Sequence, residues 1–183
     1  MKIRLLLSII FVFTFLLTHA QKKELSLAEN VNKETISFQF IKNLVIVPIT
    51  FNGHQMNFIV DSGLKETILF SQYDETINKN NLRQVNLKGL GKDNIDTKGF
   101  FSSNNQIEIG KNYSSNNMDI IVIQDENFNL FSRLGLDVHG IIGADFFKNH
   151  PIQIDYAKRK ITIYKSILEV KNLKKFQSNC NLP

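Results

Sequence analysis

A chain of 183 residues has enough material for one domain with a proper core and too little for two sizeable ones. With 43% hydrophobic and 21% charged residues, its makeup is globular rather than disordered. The formal net charge of +5 comes from scattered lysines. No basic stripe interleaves with aromatics, so a nucleic-acid surface is not expected.

The N-terminus reads as an export signal over residues 1–20. Lys2 and Arg4 precede an almost unbroken apolar run from Leu5 to Leu17, and Thr18-His19-Ala20 ends on a small residue suited to a signal peptidase. Cleavage near Ala20 is therefore expected, with a periplasmic or secreted product. The run is shorter than the roughly 20 apolar residues of a spanning helix, and no cysteine follows it. A stable membrane anchor is not expected. The single cysteine, Cys180, permits no intrachain disulfide, so stability has to come from packing and strand pairing.

Residues 21–36, polar and charged, read as a linker ahead of a domain at 37–165. Ile36, Phe38 and Phe40 alternate with polar neighbours, the period of a half-buried strand. Leu44 to Phe51 is a second strand, with Pro48 marking an edge or a bulge. Asn52-Gly53 predicts a tight hairpin turn into a third, Met56 to Val60. Further strands are predicted at Thr67 to Phe70, Leu82 to Leu87, Gln106 to Ile109 and Met118 to Ile123. A closing pair, Ile152 to Tyr156 and Lys160 to Tyr164, is joined by a turn at Lys158-Arg159. Two short stretches read as helical, Tyr73 to Ile77 and Ala144 to Lys148. Residues 166–183 form a polar tail. Many short, evenly spaced strands indicate an all-β sandwich or barrel.

Several chemistries lack their residues. His54, His139 and His150 show no ligand spacing for a metal. Gly89-Leu90-Gly91-Lys92 is too short for a phosphate loop, and no Gly-x-Ser-x-Gly elbow is present. What remains is Phe58-Ile59-Val60-Asp61-Ser62-Gly63, a carboxylate ending a strongly apolar strand. An ionised Asp in that setting needs hydrogen-bond partners, and Gly63 lets the backbone turn an N–H towards it. Taken alone, the triplet reads equally as an Asx-turn that closes a strand. Asp96-Thr97-Lys98 imitates it, but a lysine stands in the glycine position.

The run Leu44 to Gly53, followed by Met56 to Gly63, resembles the opening hairpin of the retropepsin-like aspartic proteases. There a strand and an Asn-Gly turn lead into a strand ending in Asp-Thr/Ser-Gly. The segment His139-Gly140-Ile141-Ile142-Gly143-Ala144-Asp145-Phe146-Phe147 resembles the family's apolar-apolar-Gly element beside the catalytic loop, and the closing hairpin is similar to that of the bacterial exported branch. The family more often has Thr at the place of Ser62 and Ala at that of Leu64. This resemblance implies an all-β, retropepsin-like acid protease half-barrel with one or two short helices. It implies an aspartic endopeptidase acting on peptide or protein substrates without metal or cofactor. Asp61 would be the catalytic carboxylate, and Ser62, Gly63, Ile141, Ile142 and Gly143 would support its loop. Asp145 and Asp155 would be structural. One triplet per chain implies a homodimer with an Asp61 from each subunit, and Gly89, Leu90 and Gly91 would form a flap tip. The competing expectation is a catalytically inactive β domain of the same fold that binds peptide or a partner protein.

Overall fold

The computed structural model describes residues 24–70, 76–77, 82–87, 97–123 and 135–171. In chain order these form β1 (Ser26–Leu27), β2 (Lys33–Ser37), β3 (Gln39–Ile41), β4 (Leu44–Phe51), β5 (His54–Val60), β6 (Ile68–Phe70) and β7 (Arg83–Leu87). There follow β8 (Thr97–Ile109), β9 (Tyr113–Ile123), β10 (Gly140–Ile142), a 3-10 turn at Ala144–Phe146, β11 (Ile152–Asp155) and β12 (Lys160–Tyr164). Residues 167–171 make one helical turn.

The hairpin β4–β5 is built as its sequence predicts. Asn52 and Gly53 both take positive φ (46° and 85°), the combination of a type I′ turn whose twist matches the flanking strands. Phe51 pairs with His54 and Val47 with Phe58. Pro48 pairs with Asn57, whose own N–H and C=O are both turned away to His139. The proline's missing N–H therefore faces the opposite edge of β4. On that edge β3 pairing stops at Ile46 and β8 pairing begins at Thr50, so no ladder bond is lost.

The strands pair in the order β9-β6-β10-β5-β4-β8, and β8 pairs back onto β9 to close the ring. Closure removes the unpaired edges that invite aggregation. Inside lies a core of Val47, Ile49, Phe51, Phe58, Ile107 and Ile120, among others. The alternate positions Ile46, Ile59, Ile68, Phe70, Ile121 and Ile123 form a second apolar cluster with Val138. Burial on both faces explains why β4 and β5 read as nearly continuous apolar runs.

A three-stranded sheet, β11-β12-β2, adds Ile36, Ile161 and Ile163 to the first core. Its turn is set by Asp155, whose Oδ1 accepts the Lys158 N–H at 2.9 Å, and by Arg159 at φ 53°. Among the described residues no helix is long and apolar enough to cross a membrane.

Three expectations need correction. The stretch expected as a linker carries β1 and β2, and Leu25 and Leu27 are buried. Among the described residues there, Leu25, Leu27 and Ile36 are buried and Val31 packs partly buried on the same core, a spacing without a regular period, while Lys33, Thr35 and Ser37 point outward. The alternation Ile36-Phe38-Phe40 is not one strand either. The chain changes sheets at Phe38, with β2 on β12 and β3 on β4. Finally, β8 and β9 extend well beyond their predicted apolar halves. Their polar stretches stay in the ladder through irregularities around Asn105. Buried Asn105 Nδ2 donates to the carbonyls of Ser102 (3.2 Å) and Met118 (3.1 Å), and its Oδ1 accepts from Asn52 Nδ2 at 3.1 Å. These bonds offset the cost of burying an amide.

The predicted helix at Tyr73 to Ile77 lies mostly outside the described residues. That at Ala144 to Lys148 shortens to the 3-10 turn.

Candidate active site

Strand β10 is inserted between β5 and β6. It runs parallel to β5, with Ile142 opposite Val60, and antiparallel to β6, with Ile141 opposite Ile68. The loop of residues 61–67, which joins β5 to β6, must therefore pass over the end of β10. Three backbone bonds fix it there. The Asp61 N–H donates to the Ile142 carbonyl (3.0 Å), the Ala144 N–H to the Leu64 carbonyl (2.8 Å), and the Ile121 N–H to the Thr67 carbonyl (2.9 Å). The sequence pair Asp61-Ser62-Gly63 and Ile141-Ile142-Gly143, 80 positions apart, thus meets in space.

Glycine is required where the two segments cross. A Cβ on Gly143 would lie 2.5 Å from the Glu66 carbonyl oxygen and 2.7 Å from that of Leu64. At Gly140 it would collide with the Ile68 carbonyl oxygen and the Phe58 ring. Gly140 was not singled out in the sequence, although two glycines bracketing Ile141-Ile142 are the visible trace of this close approach.

The Asp61 side chain stands exposed one residue past β5. Its Oδ1 accepts the Gly63 N–H at 2.9 Å, its one hydrogen bond among the described residues. Ser62 and Gly63 are exposed as well. Leu64, the departure noted in the sequence, is half-buried and packs with Ile141 against the second apolar cluster. Leu64 and Ile141 each remain partly exposed.

His139 secures the far end of β10. Its N–H donates to the Asn57 carbonyl (2.8 Å), its carbonyl accepts from Phe70 N–H (3.0 Å), and its Nδ1 accepts from Asn57 N–H (3.2 Å). Burial holds the imidazole below its usual range, against the opposing pull of Asp137. This role has no sequence signal beyond adjacency to Gly140.

Behind the loop, a pocket of about 280 Å³ is lined by Lys65, Glu66, Phe101, Asp119, Ile121 and Asp145, among others. Asp145 is half-buried, and burial pushes its carboxyl up. Lys148 opposes that shift, while Glu24, Glu66 and Asp119 add to it. Asp155 belongs to the β11–β12 turn already described. Asp96 and the flap candidates Gly89, Leu90 and Gly91 lie outside the described residues. The strands leading to those glycines are described: β7 and β8 form a hairpin that pairs up to Leu87 and Thr97. Among the described residues no group of His, Cys, Asp and Glu is placed to hold a metal ion.

Residues 47–146, more than half of the chain, match the family model for aspartyl proteases. The chain belongs to the aspartyl protease family. Both crossing segments of the site fall within the match. The fold is similar to that of a retropepsin-like aspartic protease from Rickettsia conorii, at 16% identity and a TM-score of 0.50, covering 73% of this chain and 99% of that one. It is also similar to the retroviral protease-like domain of Ddi1 from Leishmania major (21% identity, TM-score 0.47, 66% and 87% covered). A third likeness is to EIAV protease in complex with an inhibitor (16% identity, TM-score 0.38, 58% and 88% covered). No curated protein matches the chain. The all-β architecture is retropepsin-like, and the family is that of a protease.

Proposed function

We propose that this protease is an exported aspartic endopeptidase that acts as a homodimer, with Asp61 of each subunit forming one shared site. The observation that carries this reading is the exposed Asp61 carboxylate, held by Gly63 on a loop fixed over β10. Hydrolysis of this type uses two facing carboxylates that share one proton. The ionised member takes a proton from water, whose oxygen attacks the scissile carbonyl. The protonated member donates to the carbonyl oxygen. Collapse of the tetrahedral intermediate then breaks the C–N bond as the leaving nitrogen is protonated. The described part of the chain offers one Asp-Ser-Gly, and the half-buried Asp145 sits behind the loop rather than exposed beside Asp61. A second copy related by a two-fold axis supplies the missing partner. The partly exposed Leu64, three residues after Asp61, favours peptide substrates with apolar side chains next to the cut.

Export rests on the charged start, the apolar run and Ala20. Mass spectrometry of the protein recovered outside the cytoplasm should find Gln21 as its first residue; an intact N-terminus would contradict the localisation.

The activity test is digestion of casein and a peptide library across about pH 3 to 8 by wild type and Asp61→Asn. A dyad holding one proton gives a bell-shaped profile that is highest in acid. Asp61→Asn should lose roughly a hundredfold or more in rate while keeping its melting temperature within a few degrees. Undiminished cleavage by the variant would sink the mechanism, and binding of peptide without cleavage by the wild type would favour an inactive relative.

A further inference from the structure

Two hairpin ends meet where the chain changes sheets at Phe38. One is the β3–β4 turn, in which Lys42 and Asn43 take positive φ (48° and 65°) while Ile41 pairs with Leu44. The other is the β11–β12 turn, tied to the strand leading into the first by the Phe38 N–H, which donates to the Arg159 carbonyl at 3.0 Å. Three rings join across this seam. Buried Phe38 meets Phe40 edge-on at 6.4 Å and Tyr156 at 5.9 Å, and Phe40 meets Tyr156 at 5.3 Å. Phe40 and Tyr156 are nevertheless 36% and 54% exposed. Around them Lys42, Lys158, Arg159 and Lys160 are exposed as well. Asp155 is the one carboxylate of the two hairpin ends, and its Oδ1 already accepts the Lys158 N–H. Four cations against one carboxylate leave this surface at +3.

We propose that these two hairpin ends form a docking surface for an anionic lipid bilayer. Phe40 and Tyr156 enter the headgroup layer, and Lys158 and Arg159 lie against the lipid phosphates. Exposed rings are costly in water but favoured at a bilayer interface, where the Tyr156 ring meets acyl carbon and its hydroxyl stays hydrated. The charges select the lipid. Each cation near an anionic surface raises affinity about fivefold, and its long side chain covers carbon while the charge stays at the phosphates. An acidic peptide would satisfy the cations but has no general use for two rings between them. A bilayer surface uses both, because its phosphates overlie a continuous apolar layer. The rings are already held together by Phe38, so docking orders little that was free. Two rings and a few cations give reversible, salt-sensitive attachment rather than an anchor. The consequence is a protein held at a membrane surface, whichever residues carry out the cleavage.

The test uses the full chain, which has no tryptophan, so the single substitution Tyr156→Trp reports on this surface directly and without reference to peptidase activity. Fluorescence is followed on titration with vesicles of neutral phosphatidylcholine, alone or with about 30% anionic phosphatidylglycerol. On anionic vesicles the emission of Tyr156→Trp should shift to the blue and be quenched by lipids brominated in the acyl chain. Neutral vesicles should bind about tenfold more weakly or worse. The control is His54→Trp, an exposed position at the opposite end of β4. It should stay unshifted even where the apolar run Leu5 to Leu17 itself touches lipid. Adding Lys158→Gln and Arg159→Gln to Tyr156→Trp should lower affinity for anionic vesicles about twentyfold, and both changes fall on exposed side chains that leave the core intact. Raising the salt from about 0.05 to 0.5 M should weaken binding in the same sense. No shift in Tyr156→Trp on anionic vesicles, a shift indifferent to both charge and salt, or an equal shift in His54→Trp would overturn the proposal. So would capture of polyglutamate by the wild type with no vesicle response, which would assign the surface to an acidic protein partner.

Discussion

At Gly143 a methyl group would press on two backbone carbonyls that cannot move independently, because both belong to the loop carrying Asp61. Gly143→Ala should therefore cost about 1–3 kcal/mol in thermal or denaturant unfolding, with peptidase activity falling further than stability. Asp145 gives a pH-dependent prediction at the same scale. Burial raises its folded carboxyl above 3.8, so the folded state binds the proton more tightly than the unfolded one. Ionised Asp145 then opposes folding at neutral pH, and that penalty disappears as pH falls through the folded value towards 3.8. Asp145→Asn should melt higher than wild type near pH 7, and the advantage should vanish near pH 4. A variant that melts lower at neutral pH would show that the attraction of Lys148 outweighs burial. Asp61 was singled out in the sequence by the hairpin that leads into its triplet together with the apolar-apolar-Gly segment downstream, since the triplet alone reads equally as a turn. The supporting role of His139 was not legible, since it depends on which strand lies beside it.

At the scale of elements, local pattern carried the hairpins and failed where a strand draws its stability from distant partners. β4 and β5 were readable from composition and the Asn52-Gly53 turn alone. β1 and β2 were hidden because each offers one or two inward apolar residues and pairs with strands far along the chain. The polar halves of β8 and β9 were hidden because their burial is compensated by amide hydrogen bonds rather than by apolar side chains. β2 also carries Glu34, whose carboxylate accepts the Lys111 N–H at 2.9 Å and Asn112 Nδ2 at 2.6 Å. Those residues form the β8–β9 turn, so one side chain ties the three-stranded sheet to the ring. Glu34→Ala should destabilise by roughly 1–3 kcal/mol, and exchange should rise first at Lys111 and Asn112. No change at those amides would mean that the shared apolar core alone joins the two sheets.

For the whole molecule, the sequence supported an all-β fold because its strands are short and regularly punctuated, but the closure of the ring came from pairings that no local pattern encodes. The β10 insertion has the same character: Ile141 and Ile142 look like any apolar pair until β5 and β6 flank them. Under the proposed mechanism a chain with one exposed Asp61 supplies half of a two-carboxylate site, which would make activity a property of the assembly. The claim is tested most directly by mixing wild-type and Asp61→Asn subunits under conditions that allow exchange and measuring peptidase activity against the wild-type fraction. Shared sites predict that activity follows the square of that fraction, about one quarter at equal amounts. Activity proportional to the fraction, one half at equal amounts, would show that each chain cleaves alone and would contradict the paired Asp61 site.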